Sequence, residues 1–233
     1  MVRVNLPAPV YSLKLKGTPW VSLEAWGKRK GSRWFSRYKA GSEILHRLIL
    51  SGLRFDFMPG SRLAHCQGMQ LWLGFSPKLV KGHLYLHYLD VQKQLEPLAA
   101  GMPSLGRVVV IDPGHGKGNL GTRSVFNKKY EKEYTLDWAR RLKPLLEKRG
   151  WKVYLTRTTD KAMSLTDRVK FADRMKASLF ISLHYNYASR AVSGLETYCI
   201  APVGMPSHFT RGSPDPVSKA LPNNRYDTRN MQL

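Results

Sequence analysis

Hydrophobic and polar positions change their pattern near the middle of the chain. Before this point, stretches such as residues 83–88 alternate between polar and apolar side chains, which is typical of half-buried strands. After it, residues 107–112 form a short continuous apolar run, as in a buried parallel strand. Residues 98–106, between the two patterns, are small and contain Gly and Pro, which indicates a linker. We therefore predict a small α+β domain over residues 18–100 and a second domain over residues 105–233.

Three local signals describe the first domain. Residues 41–53 have apolar side chains at helical spacing, with Ser42 in position to cap the N-terminus, so we expect a helix there. Two short strands joined around Gln67 and Gly68 give a hairpin signal. Residues 89–98 are expected to form a last short helix. Together these elements predict a mixed α+β domain.

Strands and helices alternate in the second domain. The strand at 107–112 precedes a helix over residues 131–149, in which Pro144 is expected to cause a kink or an early end. The later predicted elements are a strand over 151–156, a helix over 164–177, and strands over 179–184 and 194–200. This order predicts an α/β fold with a mostly parallel sheet and helices on both faces.

Polar residues follow the predicted strand ends, where such sheets carry their chemistry. Asp112 and His115 follow the first strand, His184 ends the third, and Glu131 opens the helix after the first. Two histidines and a carboxylate are a common ligand set for catalytic zinc, with the fourth position left for water. The pattern alone also fits a core histidine, a turn residue and a helix-start carboxylate, so both interpretations remain open at this point.

Six short segments occur in order over residues 107–200. They are Val110-Ile-Asp-Pro-Gly-His-Gly116, Glu131-Lys-Glu-Tyr-Thr-Leu136, Leu155-Thr-Arg157 with Asp160, Leu165-Thr-Asp-Arg168, Phe180-Ile-Ser-Leu-His-Tyr-Asn186 and Gly194-Leu-Glu-Thr-Tyr198. Together they resemble the zinc-dependent N-acetylmuramoyl-L-alanine amidases of the Amidase_3 type, which act on bacterial peptidoglycan. The resemblance implies an α/β domain that holds one zinc ion.

The resemblance also implies roles for individual residues. The zinc ligands fall on His115, Glu131 and His184, and Glu133 competes with Glu131 for the glutamate position. Asp112 is expected either to orient His115 by accepting a hydrogen bond or only to form the turn that follows it.

Three further residues have two possible roles each. Arg157 and Arg168 are expected either to be structural or to bind substrate carboxylates. Asn186 is expected to donate a hydrogen bond to substrate or to cap the end of the strand.

The sequence departs from the family in three places, one of which is Ala172-Asp173 in the second helix, where the family usually has Ala-Asn. After the first histidine it has Lys117-Gly-Asn-Leu-Gly-Thr122 instead of the usual stretch. The family also places a second catalytic glutamate in a late strand, within a Glu-x-Gly-Phe-like segment, and no such segment precedes Leu233. We therefore expect an amidase domain that is incomplete at its C-terminus. Glu196 is the best candidate to replace the missing group, whose proton transfer typically contributes ~10²–10⁴-fold.

The N-terminal region weakly resembles the copper-amine-oxidase N-terminal-like modules of some envelope proteins. Residues 68–74 and 81–87 carry this similarity, which implies no copper chemistry. It implies an accessory role in binding the cell wall, by attraction to anionic glycan or lipid.

Charge and composition narrow the function classes. The chain has 233 residues with 38 Lys+Arg and 16 Asp+Glu, which gives a net charge of +22. Such a charge attracts polyanions, but no zinc-finger spacing, RNP-like motif or heptad array supports specific nucleic-acid recognition. Two cysteines exclude a disulfide-dense scaffold. No apolar run is long enough to cross a membrane, and the first residues show no secretory signal.

The leading hypothesis is zinc-dependent hydrolysis of the amide bond between N-acetylmuramic acid and L-alanine in peptidoglycan. Peptidoglycan is then the expected partner, with anionic envelope polymers beside it, and the full-length protein is expected in the cell envelope, periplasmic or secreted. The alternative is a catalytically impaired wall-binding module that keeps the amidase fold. The missing late glutamate favours this alternative, and assay on purified peptidoglycan separates the two.

Overall fold

The computed structural model describes residues 11–102, 104–189, 191–206 and 222–232. The chain divides into two compact units, of which unit 1 comprises Met1–Pro103 and Thr197–Leu233, and unit 2 comprises Ser104–Glu196. Residues from Thr197 onward thus group with unit 1, although the sequence assigns them to the second domain. The predicted domain boundaries stay a prediction.

The secondary structure alternates between short strands and a few helices. The strands are β1 (Ser12–Leu15), β2 (Thr18–Ser22), β3 (Trp34–Ala40), β4 (Glu43–Leu50), β5 (Leu53–Phe57), β6 (Leu63–Cys66), β7 (Met69–Trp72), β8 (Lys78–Val80), β9 (His83–His87), β10 (Val108–Pro113), β11 (Lys152–Leu155) and β12 (Leu179–Leu183). The helices are α1 (Leu23–Arg29), α2 (Tyr88–Asp90), a π-helical segment (Val91–Leu95), α3 (Glu96–Ala99), α4 (Glu131–Glu147), α5 (Leu165–Arg174), a 3-10 segment (Pro222–Tyr226) and α6 (Asp227–Gln232). None of the helices in the described ranges has the length and apolar composition needed to cross a membrane.

Unit 1 contains two antiparallel sheets, in the orders β1-β2-β9-β8 and β3-β4-β5-β6-β7. The predicted hairpin is confirmed: Gln67 and Gly68 have φ angles of 54° and 85° and join β6 to β7. The predicted last helix is also confirmed as the run from α2 to α3. These elements surround a core that includes Trp26, Leu48 and Phe55.

The predicted helix over residues 41–53 is wrong. Strand β4 occupies most of this range and pairs with both β3 and β5. Its buried residues His46, Leu48 and Leu50 alternate along the strand, so they share one face. The apolar residues at helical spacing misled the prediction, because neighbouring strands on both sides satisfy the backbone and cover the side chains.

Unit 2 is built on a three-stranded parallel sheet in the order β11-β10-β12. The alternation of strands and helices agrees with the α/β prediction, but within the described residues parallel pairing is limited to these three strands. The predicted strand over 194–200 is wrong, since these described residues are mostly exposed and lie outside any strand. Leu195, for example, is 84% exposed, so this segment buries no apolar face against the sheet.

Helix α4 packs against β10 and β11. Ala139 of α4 packs with Val109 and Ile111 of β10 in the buried core of unit 2. The helix runs through Pro144 and ends at Glu147 rather than at residue 149. Helix α5 begins after Ser164, whose hydroxyl caps the helix by accepting a hydrogen bond from the backbone N–H of Asp167 at 3.1 Å.

Candidate metal centre

Three side chains of unit 2 converge beyond the carboxyl end of β10. His115, Glu131 and His184 each offer one ligand atom, and these atoms lie within 4.8 Å of one another. Glu131 Oε1 is 2.9 Å from His115 Nε2 and 3.0 Å from His184 Nδ1. His184 Nδ1 and His115 Nε2 are 3.1 Å apart. The sequence therefore identified three residues that the fold brings to one point.

Two glycines make this approach feasible. A Cβ on Gly114 would lie 2.3 Å from the His184 ring. Gly121 has a φ of +70°, and a Cβ there would lie 2.6 Å from the Cβ of Glu131. Any larger residue would displace the histidine or the carboxylate. His115 itself has a φ of 66°, a strained value for a non-glycine residue, in the tight loop after β10.

The Glu131 carboxylate is buried and held from several sides. Its Oε2 accepts hydrogen bonds from the backbone N–H and the hydroxyl of Thr122, at 2.9 and 3.1 Å. Its Oε1 accepts one from the backbone N–H of Tyr185 at 2.8 Å. Burial raises the pKa of Glu131, but these hydrogen bonds and the adjacent His115 outweigh it, and the pKa is lowered. Glu133 instead accepts from the backbone N–H of Tyr130 at the start of α4, so Glu131 is the glutamate of this group.

Asn119 orients the ring of His115, a contact that the sequence reasoning missed. Asn119 Oδ1 lies 2.8 Å from His115 Nδ1. A carbonyl oxygen only accepts, so Nδ1 donates in this contact, and in a neutral ring Nε2 is then the nitrogen left to bind a metal. Two imidazole nitrogens and a carboxylate oxygen are donors that zinc accepts, so the residues present fit such an ion. The sequence carried one signal for this contact. Asn119 lies four residues after His115, within the stretch 117–122 that differs from the usual family sequence.

Among the described residues, the hydrogen bonds of Asp112 go to partners other than His115. Its Oδ1 accepts hydrogen bonds from the Thr156 hydroxyl and from Nη1 of Arg168, each at 2.5 Å. Its Oδ2 accepts from the Ser182 hydroxyl at 2.7 Å. Both carboxylate oxygens are thus used within the buried network between β10 and its neighbours. The alternative expectation, a structural residue before the turn, agrees with these contacts.

Arg157 and Arg168 hold the loop that carries His115. Arg157 donates from Nε to the carbonyl of Pro113 and from Nη2 to that of Gly114, both at 2.9 Å. Arg168 donates from Nη2 to the carbonyl of His115 at 2.8 Å. Both arginines are buried, and burial followed by the charge of Arg168 lowers the pKa of Arg157. These contacts support the structural alternative of the two expected roles.

A comparison with protein families places these residues in a known context. Residues 109–231 match the Amidase_3 family, described as N-acetylmuramoyl-L-alanine amidase. The match covers more than half of the chain. The chain belongs to the Amidase_3 family.

Individual members of the Amidase_3 family show moderate identity. The N-acetylmuramoyl-L-alanine amidase AmiC of Escherichia coli is 37% identical over 127 residues, which cover 51% of this chain and 30% of AmiC. LytC of Bacillus subtilis, also named an N-acetylmuramoyl-L-alanine amidase, is 39% identical over 97 residues, which cover 41% of this chain and 19% of LytC. The catalytic domain of the amidase CwlV from Bacillus (Paenibacillus) polymyxa var. colistinus is 37% identical, with a TM-score of 0.35, and the match covers 38% of this chain and 50% of that one. The chain thus spans less than a third of the curated relatives it matches here.

The two remaining predicted site residues of this Amidase_3 chain contact each other. Asn186 donates from Nδ2 to Glu196 Oε2 at 2.7 Å, and both residues are exposed. Asn186 follows His184 by two positions, which links Glu196 to the segment that carries a ligand atom. Glu196 is not a member of the three-residue group of His115, Glu131 and His184.

Proposed function

We propose that this chain hydrolyses the amide bond between N-acetylmuramic acid and L-alanine in peptidoglycan with the help of one zinc ion. The observation that carries the proposal is the convergence of His115, Glu131 and His184 in a member of the Amidase_3 family. His115 Nε2, Glu131 Oε1 and His184 Nδ1 would hold the ion. When bound there, zinc polarises a carbonyl oxygen and lowers the pKa of a water molecule.

The protein's own residues fix the ligands and keep one side accessible. Thr122 and Tyr185 hold the Glu131 carboxylate, and Asn119 contacts Nδ1 of His115 and so orients its ring. The side chain of His184 is 49% exposed, whereas that of Glu131 is 2% exposed. Substrate therefore approaches from the side of His184.

The proposal includes the location and the partners. Because peptidoglycan lies outside the cytoplasmic membrane, we place the full-length protein in the cell envelope, periplasmic or secreted. The region over residues 18–100 would bind the wall, and the net charge of +22 would favour contact with anionic envelope polymers.

The activity is tested by incubating the purified, zinc-loaded chain with a soluble muropeptide and analysing the products by mass spectrometry. We expect release of the intact stem peptide with a free L-alanine amino group. A chelator should abolish the release, and added zinc should restore it. Intact muropeptide after incubation with a folded, zinc-loaded chain would overturn the proposal.

Glu196 is proposed as the group that transfers the proton, on the basis of its hydrogen bond to Asn186. Glu196→Gln keeps the size and the hydrogen-bonding oxygen but removes the charge. We expect kcat to fall by about 10²-fold or more, with bound zinc unchanged. Glu133→Gln is the matched control, since Glu133 serves only the start of α4. An unchanged kcat in Glu196→Gln would show that another group moves the proton.

A further inference from the structure

A cavity of about 670 Å³ opens beside His115. One wall is the loop after β10, and the other comprises residues before and within α5. The charged residues that line it are Lys161, Asp167, Arg168, Lys170 and Arg174. Because His115 belongs to both the cavity and the candidate metal centre, a molecule bound in the cavity lies next to the reacting atoms.

The charge exposed in this cavity is mainly positive. Arg168 is committed to Asp112 and to backbone carbonyls. Within the described ranges, Lys161, Lys170 and Arg174 form no ion pair, and all three are exposed. The one acidic side chain in the lining, Asp167, accepts a hydrogen bond from the hydroxyl of Ser164. The cavity therefore favours an anionic ligand.

A second surface next to the centre is aromatic. Tyr134 and Trp138 of α4 lie on Tyr185, with ring centroids 6.0 and 5.8 Å apart, and none of the three lines the cavity. Tyr185 also donates its backbone N–H to Glu131. The centre is thus bordered by a cationic cavity at His115 and by an uncharged aromatic surface at Glu131.

These two surfaces match the two sides of the proposed scissile bond. On one side is a neutral sugar, whose ring faces suit aromatic side chains, and on the other is a peptide that carries free carboxylates. We propose that the cavity binds the carboxylates of the stem peptide, through Lys170 and Arg174 of α5 with Lys161 beside them. The glycan then extends over Tyr134, Trp138 and Tyr185. This inference rests on the proposed function. It states in which direction the substrate lies across the candidate metal centre.

The test compares soluble muropeptides whose peptide carboxylates are free with ones whose carboxylates are amidated. We expect Lys170→Glu/Arg174→Glu to lower kcat/KM for the free form by about tenfold or more, because like charges repel, and to change the amidated form little. Lys148→Glu/Lys176→Glu is the control with the same change in net charge, since neither lysine lines the cavity. Bound zinc should be the same in all three proteins. An equal effect on both muropeptides, or none, would overturn the proposal.

A binding measurement separates this inference from the proposed function. It uses the zinc-loaded chain and a free tetrapeptide stem, which is the peptide product of the proposed hydrolysis. Titration calorimetry should show weaker binding to Lys170→Glu/Arg174→Glu than to the unmodified chain or the control. Unchanged binding would overturn the cavity proposal even where the unmodified chain hydrolyses muropeptides. Conversely, absent hydrolysis with charge-dependent binding of the tetrapeptide would overturn the proposed function and leave the cavity assignment supported.

Discussion

Replacing His184 with alanine should reduce bound zinc from one ion per chain to a small fraction and lower amide hydrolysis by about 10³-fold or more. The alanine removes one of three converging ligand atoms, and two protein ligands hold zinc far less tightly than three. The side chain of His184 is 49% exposed, so its loss removes little packing. The free energy of unfolding without zinc should therefore change by less than about 1 kcal/mol.

Zinc content is measured by mass spectrometry of the metal after dialysis, and unfolding by urea in the presence of a chelator. His65→Ala is the matched control, because His65 lies on β6 in unit 1 and is not one of the three residues of the group. It should keep its zinc. One zinc ion per chain in His184→Ala would show that the metal binds elsewhere. Loss of folding without zinc would show that His184 has a structural role beyond ligation.

The three residues of the candidate metal centre could be predicted because the information that places them is short in range. His115 and His184 each follow a continuous apolar strand, and Glu131 opens a helix whose start is recognisable. Parallel strands bring their carboxyl ends together, so local patterns were enough to place these residues at one edge. The β10–β12 pairing, which joins Ser182 to Asp112, completes that geometry.

The partner of Asp112 could not be predicted, because it lies 56 residues away on α5. Because Asp112 and His115 are close in sequence, His115 was expected to be the partner of Asp112. In the tight loop after β10, however, the His115 ring contacts Asn119. The strand predicted at 194–200 failed because its apolar residues remain exposed. In β4, helical spacing and strand alternation were both present in the sequence, and pairing with β3 and β5 decided between them.

The buried pair of Asp112 and Arg168 leads to the largest expected effect on stability. Their side chains are 2% and 8% exposed. Arg168→Met fills a similar volume but leaves the Asp112 carboxylate with only the hydroxyls of Thr156 and Ser182 as donors. It also removes the donor to the carbonyl of His115. Removal of one partner of a buried ion pair costs about 3–5 kcal/mol, so we expect unit 2 to be destabilised by that amount.

Urea unfolding of Arg168→Met measures this cost, and Arg174→Met on the same helix is the control. Arg174 is exposed and forms no ion pair among the described residues, so its replacement should change the free energy of unfolding by less than about 0.5 kcal/mol. Adding Asp112→Asn to Arg168→Met should recover part of the loss, because the amide still bonds to the two hydroxyls and no buried charge remains. A double variant as unstable as the sum of the two single variants would contradict the pairing. In that case the backbone contacts of Arg168, rather than its charge, would hold the loop that positions His115.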